Sequence, residues 1–308
     1  MELEPEDTLP VPAPPCARDW SELPFDALAL ILGKLGAVEI LMGAGLVCHS
    51  WLDAAKLPHL WREVDIGRGP RDQSLILEKS SSAWSAMFVG MAKMAVDRSD
   101  GKMEVFVGDG FVNDALLSYI AQRATSLKTL CIIRTWFVSN EGFAEAIKKL
   151  PMLMELEVSV CLRINGNRVF DVVGIACPHL TRFRYSKSRF YINDGVNDSE
   201  DEKARAIATM RELRSLQLYA VHITNEGLTA ILDNCHQLES LDIRHCFEVD
   251  MNDALREKCA RIKTLRLPED STDDYEFEIT VTIADGLYEA VLDQGINLFC
   301  HKVGRFAP

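Results

Sequence analysis

The sequence predicts an α/β fold, a leucine-spaced solenoid of horseshoe shape preceded by a short helical segment. Three observations carry this. One small hydrophobic phrase recurs six times between residues 127 and 267. It reads Leu127-Lys-Thr-Leu130-Cys-Ile132, Leu153-Met-Glu-Leu156-Glu-Val158 and Leu180-Thr-Arg-Phe183-Arg-Tyr185, then Leu213-Arg-Ser-Leu216-Gln-Leu218, Leu238-Glu-Ser-Leu241-Asp-Ile243 and Ile262-Lys-Thr-Leu265-Arg-Leu267. Its central residues stand 26, 27, 33, 25 and 24 positions apart. Near-identical helix starts precede the phrase at a constant offset, and the stretch before residue 67 lacks the period altogether. A unit of this size cannot bury its apolar face alone, so the copies must stack, and the stack presents a wide surface suited to macromolecules.

In chain order, residues 1–17 are rich in Pro and acid and read as a disordered leader without the basic-then-apolar order of a signal peptide. Residues 18–66 form a separate segment carrying Trp20, Trp51 and Trp61. Leu28, Ile31, Leu32 and Leu35 fall at helical spacing, which predicts a helix between Leu23 and Leu35. Pro24 suits its first turn and Gly36 its stop. Gly33 and Gly36 weaken it, an interior Gly costing roughly 1 kcal/mol. A second helical stretch carries Leu41, Leu46, Val47 and Trp51. Glu63-Val64-Asp-Ile66 is expected as the first strand, with an irregular linker to about Asp100.

Residues 67–267 are assigned to the repeats. Met103-Glu-Val105-Phe-Val107 aligns with the clean copies when Val105 is placed 25 residues before Leu130. Ser139-Asn-Glu-Gly-Phe143 and Thr224-Asn-Glu-Gly-Leu228 are near copies, each ending 13 residues ahead of its central Leu. Ser139 and Thr224 are expected as N-caps, with Glu141 and Glu226 favourable in the first turn. Asn113-Asp-Ala-Leu116 and Asn252-Asp-Ala-Leu255 are a second matched pair. Each unit is therefore strand, turn, helix, turn. One unit is stretched by the polar insert from Tyr191 to Glu202, a solvated surface loop by composition. Residues 268–308 are the tail. It opens on an acidic run of Glu269, Asp270, Asp273, Asp274, Glu276 and Glu278, and its remainder has no repeat period.

The net charge of −13 argues against a general binder of nucleic acid or anionic membrane, which needs clustered Lys and Arg. No apolar run approaches the roughly 20 residues that span a bilayer. The nine cysteines include no C-x-x-C pair. Cys177, Cys235 and Cys259 each precede a phrase by three residues, and Cys161 and Cys246 each follow one by three. That is the spacing of small buried hydrophobes, not of a disulfide or metal framework, and it implies a reducing compartment, nucleus or cytoplasm. Phosphate-loop, zinc-protease, nucleophile-elbow and dinucleotide motifs are all missing from the sequence, so no catalytic residue and no cofactor is expected. His245-Cys246 pairs the right residue types for nucleophilic chemistry, but Cys246 falls on the buried repeat position, where a thiol is inert.

The segment Trp20-Ser-Glu-Leu-Pro-Phe-Asp-Ala-Leu28, then Ile31-Leu32, Leu46-Val-Cys-His-Ser-Trp51 and Leu60-Trp61-Arg62, resembles an F-box. With leucine-rich repeats behind it and Gly43-Ala-Gly45 in its second helix, the chain is similar to plant F-box/LRR proteins of the Skp-interacting-partner group. The resemblance implies a non-catalytic substrate receptor of an SCF-type cullin-RING ubiquitin ligase. Its F-box would dock a Skp-type adaptor, and through it a cullin, while the repeats capture an unidentified protein substrate. By position, Leu23, Pro24, Leu28, Ile31, Leu32, Val47, Cys48 and Trp51 would carry the adaptor contact or its immediate support, and Leu60 and Trp61 would close the F-box onto the first repeat. The other reading of the same residues is the internal core of a capping domain. A scaffold acting outside ubiquitination and a small-ligand sensor are the alternative functions.

Specificity is expected on the concave face, because side chains alternate along a strand and the residues flanking each central hydrophobe point there. These are Glu104 and Phe106, Thr129 and Cys131, Glu155 and Glu157, Arg182 and Arg184, Ser215 and Gln217, Ser240 and Asp242, and Thr264 and Arg266, with Tyr219 and Arg244 one alternation further. Of these, Glu155, Glu157, Arg182, Arg184, Gln217, Tyr219, Asp242 and Arg244 are the candidates for substrate contact. The acidic row beside the basic row either pairs across adjacent strands or reads complementary charge on a partner, and mutual pairing is favoured.

Overall fold

Each copy of the phrase becomes a strand, and the strands stack in the order of the sequence. The computed structural model describes residues 20–67, 82–166, 168–187 and 200–275. The leader, most of the insert and the tail beyond Tyr275 lie outside them. Eight parallel strands form one sheet in sequence order: β1 (Glu63–Ile66), β2 (Val105–Asp109), β3 (Thr129–Ile133), β4 (Glu155–Ser159), β5 (Arg182–Ser186), β6 (Ser215–Tyr219), β7 (Ser240–Asp242) and β8 (Thr264–Arg266). The connecting helices are α4 (Ser82–Arg98), α5 (Asp114–Arg123), α6 (Asn140–Ile147), α7 (Asp171–Ala176), α8 (Asp201–Ile207), α9 (Asn225–Asn234) and α10 (Asp253–Cys259). Short parallel pairings with a helix in every crossover give the strand–helix unit that the periodicity predicts.

Register is pinned by the central hydrophobes. Phe106, Leu130, Leu156, Phe183, Leu216, Leu241 and Leu265 are Cα partners in one row across the sheet. This corrects the alignment of β2, whose centre is Phe106 and not Val105. A one-residue slip exchanges the two faces of a strand. Phe106 is accordingly a fully buried core residue, and Val105 and Val107 hold the concave positions that Glu104 and Phe106 were expected to fill. The frame is Met103-x-x-Phe106-x-Gly108, with a glycine where the other copies carry a large apolar residue. A Cβ there would collide with Val112 and meet the Phe106 ring at 3.0 Å, so the larger neighbours fill its slot.

At the end of the strand segment the backbone turns into the left-handed region in five copies: at the residue after the strand for Gly110, Arg134, Val160 and Ala220 and three residues past β7 for His245, with φ between 48° and 88°. The turn aims each backbone N–H at a carbonyl at or just past the end of the following strand, at Ile133, Ser159, Ser186, Arg244 and Pro268 respectively, over 2.8–3.2 Å. Four of the five are not glycine, at about 1–2 kcal/mol of backbone strain each, and the repeated interstrand bond offsets that cost. The thiols repeat as well. Cys161 Sγ donates to Ile132 O at 3.2 Å and Cys246 Sγ to Leu218 O at 3.4 Å, each reaching back to the third apolar position of the preceding strand. Burial pushes both thiols up to about 12.

The helix caps fall where expected. Ser139 Oγ accepts from Gly142 N, Thr224 Oγ1 from Glu226 N, and the Asn113 and Asn252 side chains from Leu116 N and Leu255 N. Two caps are also braced from the preceding repeat. Asp114 accepts from both the N–H and hydroxyl of Ser139, and Asp201 from both of Thr224, at 2.7–2.9 Å.

The N-terminal segment contains α1 (Phe25–Leu32), α2 (Ala37–Met42) and α3 (His49–Ala54), with 3-10 turns at Trp20–Glu22, Ala44–Leu46 and Pro58–Trp61. The helix expected to run to Leu35 therefore ends earlier. Gly33 caps its C-terminus and Gly36 precedes α2, so neither weakens a helix interior. Pro24 is the residue before the first helical turn. The second stretch breaks into α2, a 3-10 turn and α3 at Gly43 and Cys48. The expected irregular linker holds α4, which buries Met91, Ala92, Ala95 and Val96. Its small Ala and Gly positions blur the apolar period. One continuous hydrophobic core runs from Leu28 in α1 to Ile262 before β8.

Candidate functional site

Two surfaces separate from this scaffold. The first is apolar and lies on the N-terminal segment. Its inward face is built from Leu28, Leu32, Ile40, Ala54 and Trp61, all essentially inaccessible. Trp61 Nε1 donates to Ala55 O at 2.9 Å, and the Arg98 guanidinium of α4 lies 5.2 Å from its ring, which closes the segment onto the solenoid. The Trp51 indole is half-buried and donates to Trp20 O at 3.0 Å, while Ser50 Oγ donates to Ser21 O at 3.2 Å. These two bonds fasten the leading 3-10 turn against α3.

With that face satisfied, the outward face should be polar, and it is not. Trp20, Phe25, Leu30, Leu35, Met42, Leu46 and Val47 are all exposed, Leu30 to 73%, Leu46 to 71% and Val47 to 57%. Seven large apolar side chains exposed between residues 20 and 47 compare with six in all the other described residues. Such a concentration marks an interaction surface rather than ordinary scatter. Of the candidates from the sequence, Pro24 and Val47 are exposed, and Leu23, Ile31, Cys48, Trp51 and Leu60 are half-buried at the margin. Leu28 and Leu32 are core, so of the two roles expected they take the supporting one and form no part of the exposed surface, and Trp61 closes the segment onto the solenoid as expected. Trp20, Phe25, Leu30, Leu35, Met42 and Leu46 were missed. For Phe25 and Leu30 the signal lay in the spacing, since α1 is apolar on more sides than one buried stripe needs.

The second surface is the concave side of the sheet, where the register brings the eight charged and polar candidates together. Seven of them, all but Tyr219, are hydrogen-bonded across β4 to β7, as one outer pair and one continuous ladder. Arg182 Nη1 donates to Glu155 at 3.3 Å, Arg184 Nη1 to Glu157 at 3.4 Å and Arg184 Nε to Gln217 at 2.6 Å. Gln217 Nε2 then donates to Asp242 at 3.1 Å, and Arg244 Nη2 to the same carboxylate at 2.7 Å. The acidic and basic rows thus pair mutually, as favoured. Ser159 Oγ also donates to Glu157 at 2.8 Å, which completes a buried carboxylate.

The face does not stop at β8. The chain turns at Leu267–Asp270, with Asp270 N donating to Leu267 O at 3.1 Å, and comes back over β7 and β6. Arg244 Nη1 donates to Ser271 O at 2.8 Å and also to Asp274, which takes a second bond from Arg266 Nη2 at 3.2 Å. The Tyr275 ring stacks flat on Tyr219, centroids 3.7 Å apart and planes within 6°. Beyond Tyr219 the aromatic row continues through His245 and Phe247, each step 5.0 Å. Tyr275 also packs against Val107, Cys131 and Ile133. Bonds to Asp242, then to Asp274, raise Arg244 against the opposing effect of burial, and burial raises the Tyr275 phenol. Glu157, Tyr219 and Arg244, expected as open contact residues, are therefore corrected to covered ones, at 3%, 2% and 4% exposure. Glu155, Arg182, Arg184, Gln217 and Asp242 stay partly open. Composition alone could not show that the chain's own acidic segment returns to this face.

Among the described residues no group of His, Cys, Asp and Glu is placed to hold a metal ion, and no helix is long and apolar enough to cross a membrane.

Comparison with known proteins follows the same division. An F-box-like family model matches residues 20–67, a Leucine Rich Repeat model residues 126–145, and the model described as At1g61320/AtMIF1, LRR domain, residues 202–266. F-box/LRR-repeat protein 23 of Arabidopsis thaliana is 40% identical over 261 residues, covering 83% of this chain and 55% of that protein, so the chain spans little more than half its length. F-box protein SKIP19 of the same organism is 37% identical over 276 residues, covering 86% of this chain and 84% of that protein. Among solved structures, the yeast Rad7 and Elc1 complex matches at a TM-score of 0.34 and 22% identity, over 56% of this chain and 45% of that one, a likeness that carries no argument.

Proposed function

The chain belongs to the F-box/LRR-repeat family, and from that premise we propose that it is the substrate-recognition subunit of an SCF-type cullin-RING ubiquitin ligase, working in the nucleus or cytoplasm. In this reading the N-terminal face docks a Skp-type adaptor, which joins it to the cullin, and the concave face of the repeats captures the protein to be ubiquitinated. The subunit itself performs no covalent chemistry. The observation that supports it best is the exposed apolar face of residues 20–47, held outward by a fully buried inner face. Desolvating such a face against a partner contributes roughly 25 cal/mol per Å² of apolar area, and exposed large side chains at its centre act as hot spots.

The test is an affinity measurement between the purified protein and a plant Skp adaptor, with Leu46→Glu/Val47→Glu as the variant. Both side chains face solvent, so the thermal melt should not change, while adaptor affinity should fall by at least about tenfold, the cost of about 1.4 kcal/mol or more. Failure of the folded wild type to bind, or equal binding by the variant, would sink the reading.

A further inference from the structure

The return of the acidic segment across the repeats goes further than this assignment. Beside the packing of Tyr275 on Val107, Cys131 and Ile133, the grip has three parts: a flat aromatic stack on Tyr219, a carboxylate shared by Arg244 and Arg266, and a backbone carbonyl held by Arg244. None of the three is needed to complete the polar ladder beneath. Arg244 is already fixed by two bonds from its Nε and one from Nη2 to Asp242, and Asp242 by Gln217. Asp274 and Arg266 are both substantially exposed, at 55% and 43%, so their ion pair is the weak, solvent-screened kind. A preformed face covered in cis by a segment that its ladder does not need has the character of a binding site with a tethered ligand.

We propose that the concave face over β5–β8 binds an acidic–aromatic peptide, a carboxylate side chain followed directly by a tyrosine-like ring, and that Asp274–Tyr275 occupies it in cis until a partner of the same chemistry displaces it. The chemistry follows from the contacts. Tyr219 offers a flat ring, and Tyr275 covers it face to face. Arg244 Nη1 and Arg266 Nη2 each donate to one carboxylate, and Arg184 adds positive charge near the Tyr275 hydroxyl. The proposal deepens the receptor reading by naming a substrate class, and it rests on that reading only for the peptide's belonging to a substrate. A tethered occupant presents an effective concentration in the millimolar range, so partners of modest affinity are excluded and those with further contacts along the ladder are admitted.

The experiment uses the full chain, wild type and Asp274→Ala/Tyr275→Ala, with a fluorescent peptide of the sequence Glu269–Tyr275 as probe and the same peptide with its tyrosine replaced by alanine as control. The double variant should bind the probe at least about tenfold more tightly than wild type, since the tethered competitor is gone, and should not bind the control. Equal affinity of the two proteins for the probe overturns the proposal, and so does equal binding of probe and control. If the double variant melts differently from wild type, Tyr275→Ala alone carries the same comparison. Skp-adaptor affinity, measured on the same samples, depends on the opposite end of the molecule. Its loss would remove the receptor reading and leave peptide binding standing, whereas loss of peptide binding alone would remove only this proposal.

Discussion

The two Asn-Glu-Gly helix starts show how a single missing methyl joins neighbouring repeats. A Cβ on Gly142 would fall within the envelope of the Asp114 carboxylate, and one on Gly227 within that of Asp201, 2.9 Å from the Ala204 Cβ. Those are the carboxylates that brace the Ser139 and Thr224 caps, so the glycine leaves room for the brace. Gly227→Ala should therefore destabilise the protein by about 1–3 kcal/mol, as overpacking does, even though Ala is the better helix former by up to about 1 kcal/mol. Gly90 provides the opposite case. It is exposed in the interior of α4, with nothing within 4 Å of an added Cβ. Gly90→Ala should stabilise by about 0.4–1 kcal/mol through lower chain entropy in the unfolded state. Chemical denaturation of the two variants beside wild type checks both signs, and a stabilising Gly227→Ala would show that the Asp201 brace yields freely.

Strands with three apolar anchors were legible in the sequence because the parallel register needs those anchors and little else. β2 was misread by one residue because its third anchor is Gly108, which shows in the sequence as a turn, not as core. α4 was invisible for a related reason, since its buried face is built largely from Ala and Met at positions that also suit a linker. The caps at Ser139 and Thr224 were legible because capping is local chemistry, whereas the cover that Tyr275 lays on Tyr219 is a contact across 56 residues that no local pattern encodes. The thiols, spaced as core, sit as core: Cys161 and Cys246 tie the turn after one strand to the strand before it. With both pushed up to about 12 by burial, the thiolate fraction at pH 8 is roughly one in ten thousand. Both should resist iodoacetamide in the native protein and react only when the solenoid opens, so peptide-resolved mass spectrometry should find their labelling rates rising with denaturant along the unfolding curve. Rapid native labelling of either would contradict the ladder.

At the scale of the whole molecule, the question is whether the N-terminal segment and the solenoid behave as one unit or two. Solenoids are sums of nearest-neighbour contacts and can lose terminal repeats independently. A helical segment of under 50 residues is marginal on its own, which would favour early loss of this one. The contacts argue otherwise. Trp61 is buried between α3 and β1, the Arg98 guanidinium of α4 lies over its ring, and Glu63–Ile66 pairs along its whole length with Val105–Gly108. The hydrophobic core continues through this junction without a break. Pulling the segment away would expose Trp61, Val64 and Ile66 together, at about 1.5–3 kcal/mol for each large apolar side chain, and would leave Arg98 without its ring. The expected outcome is a single transition. Nature supplies the probe, because all five tryptophans, at 20, 51, 61, 84 and 136, lie in the first half of the chain, whereas far-ultraviolet circular dichroism reports every strand and helix. Tryptophan fluorescence and circular dichroism should therefore trace the same urea curve, with one midpoint. A fluorescence midpoint well below the dichroism midpoint would mean that the segment comes off first, and adaptor and substrate faces would then be joined by a hinge instead of a rigid body.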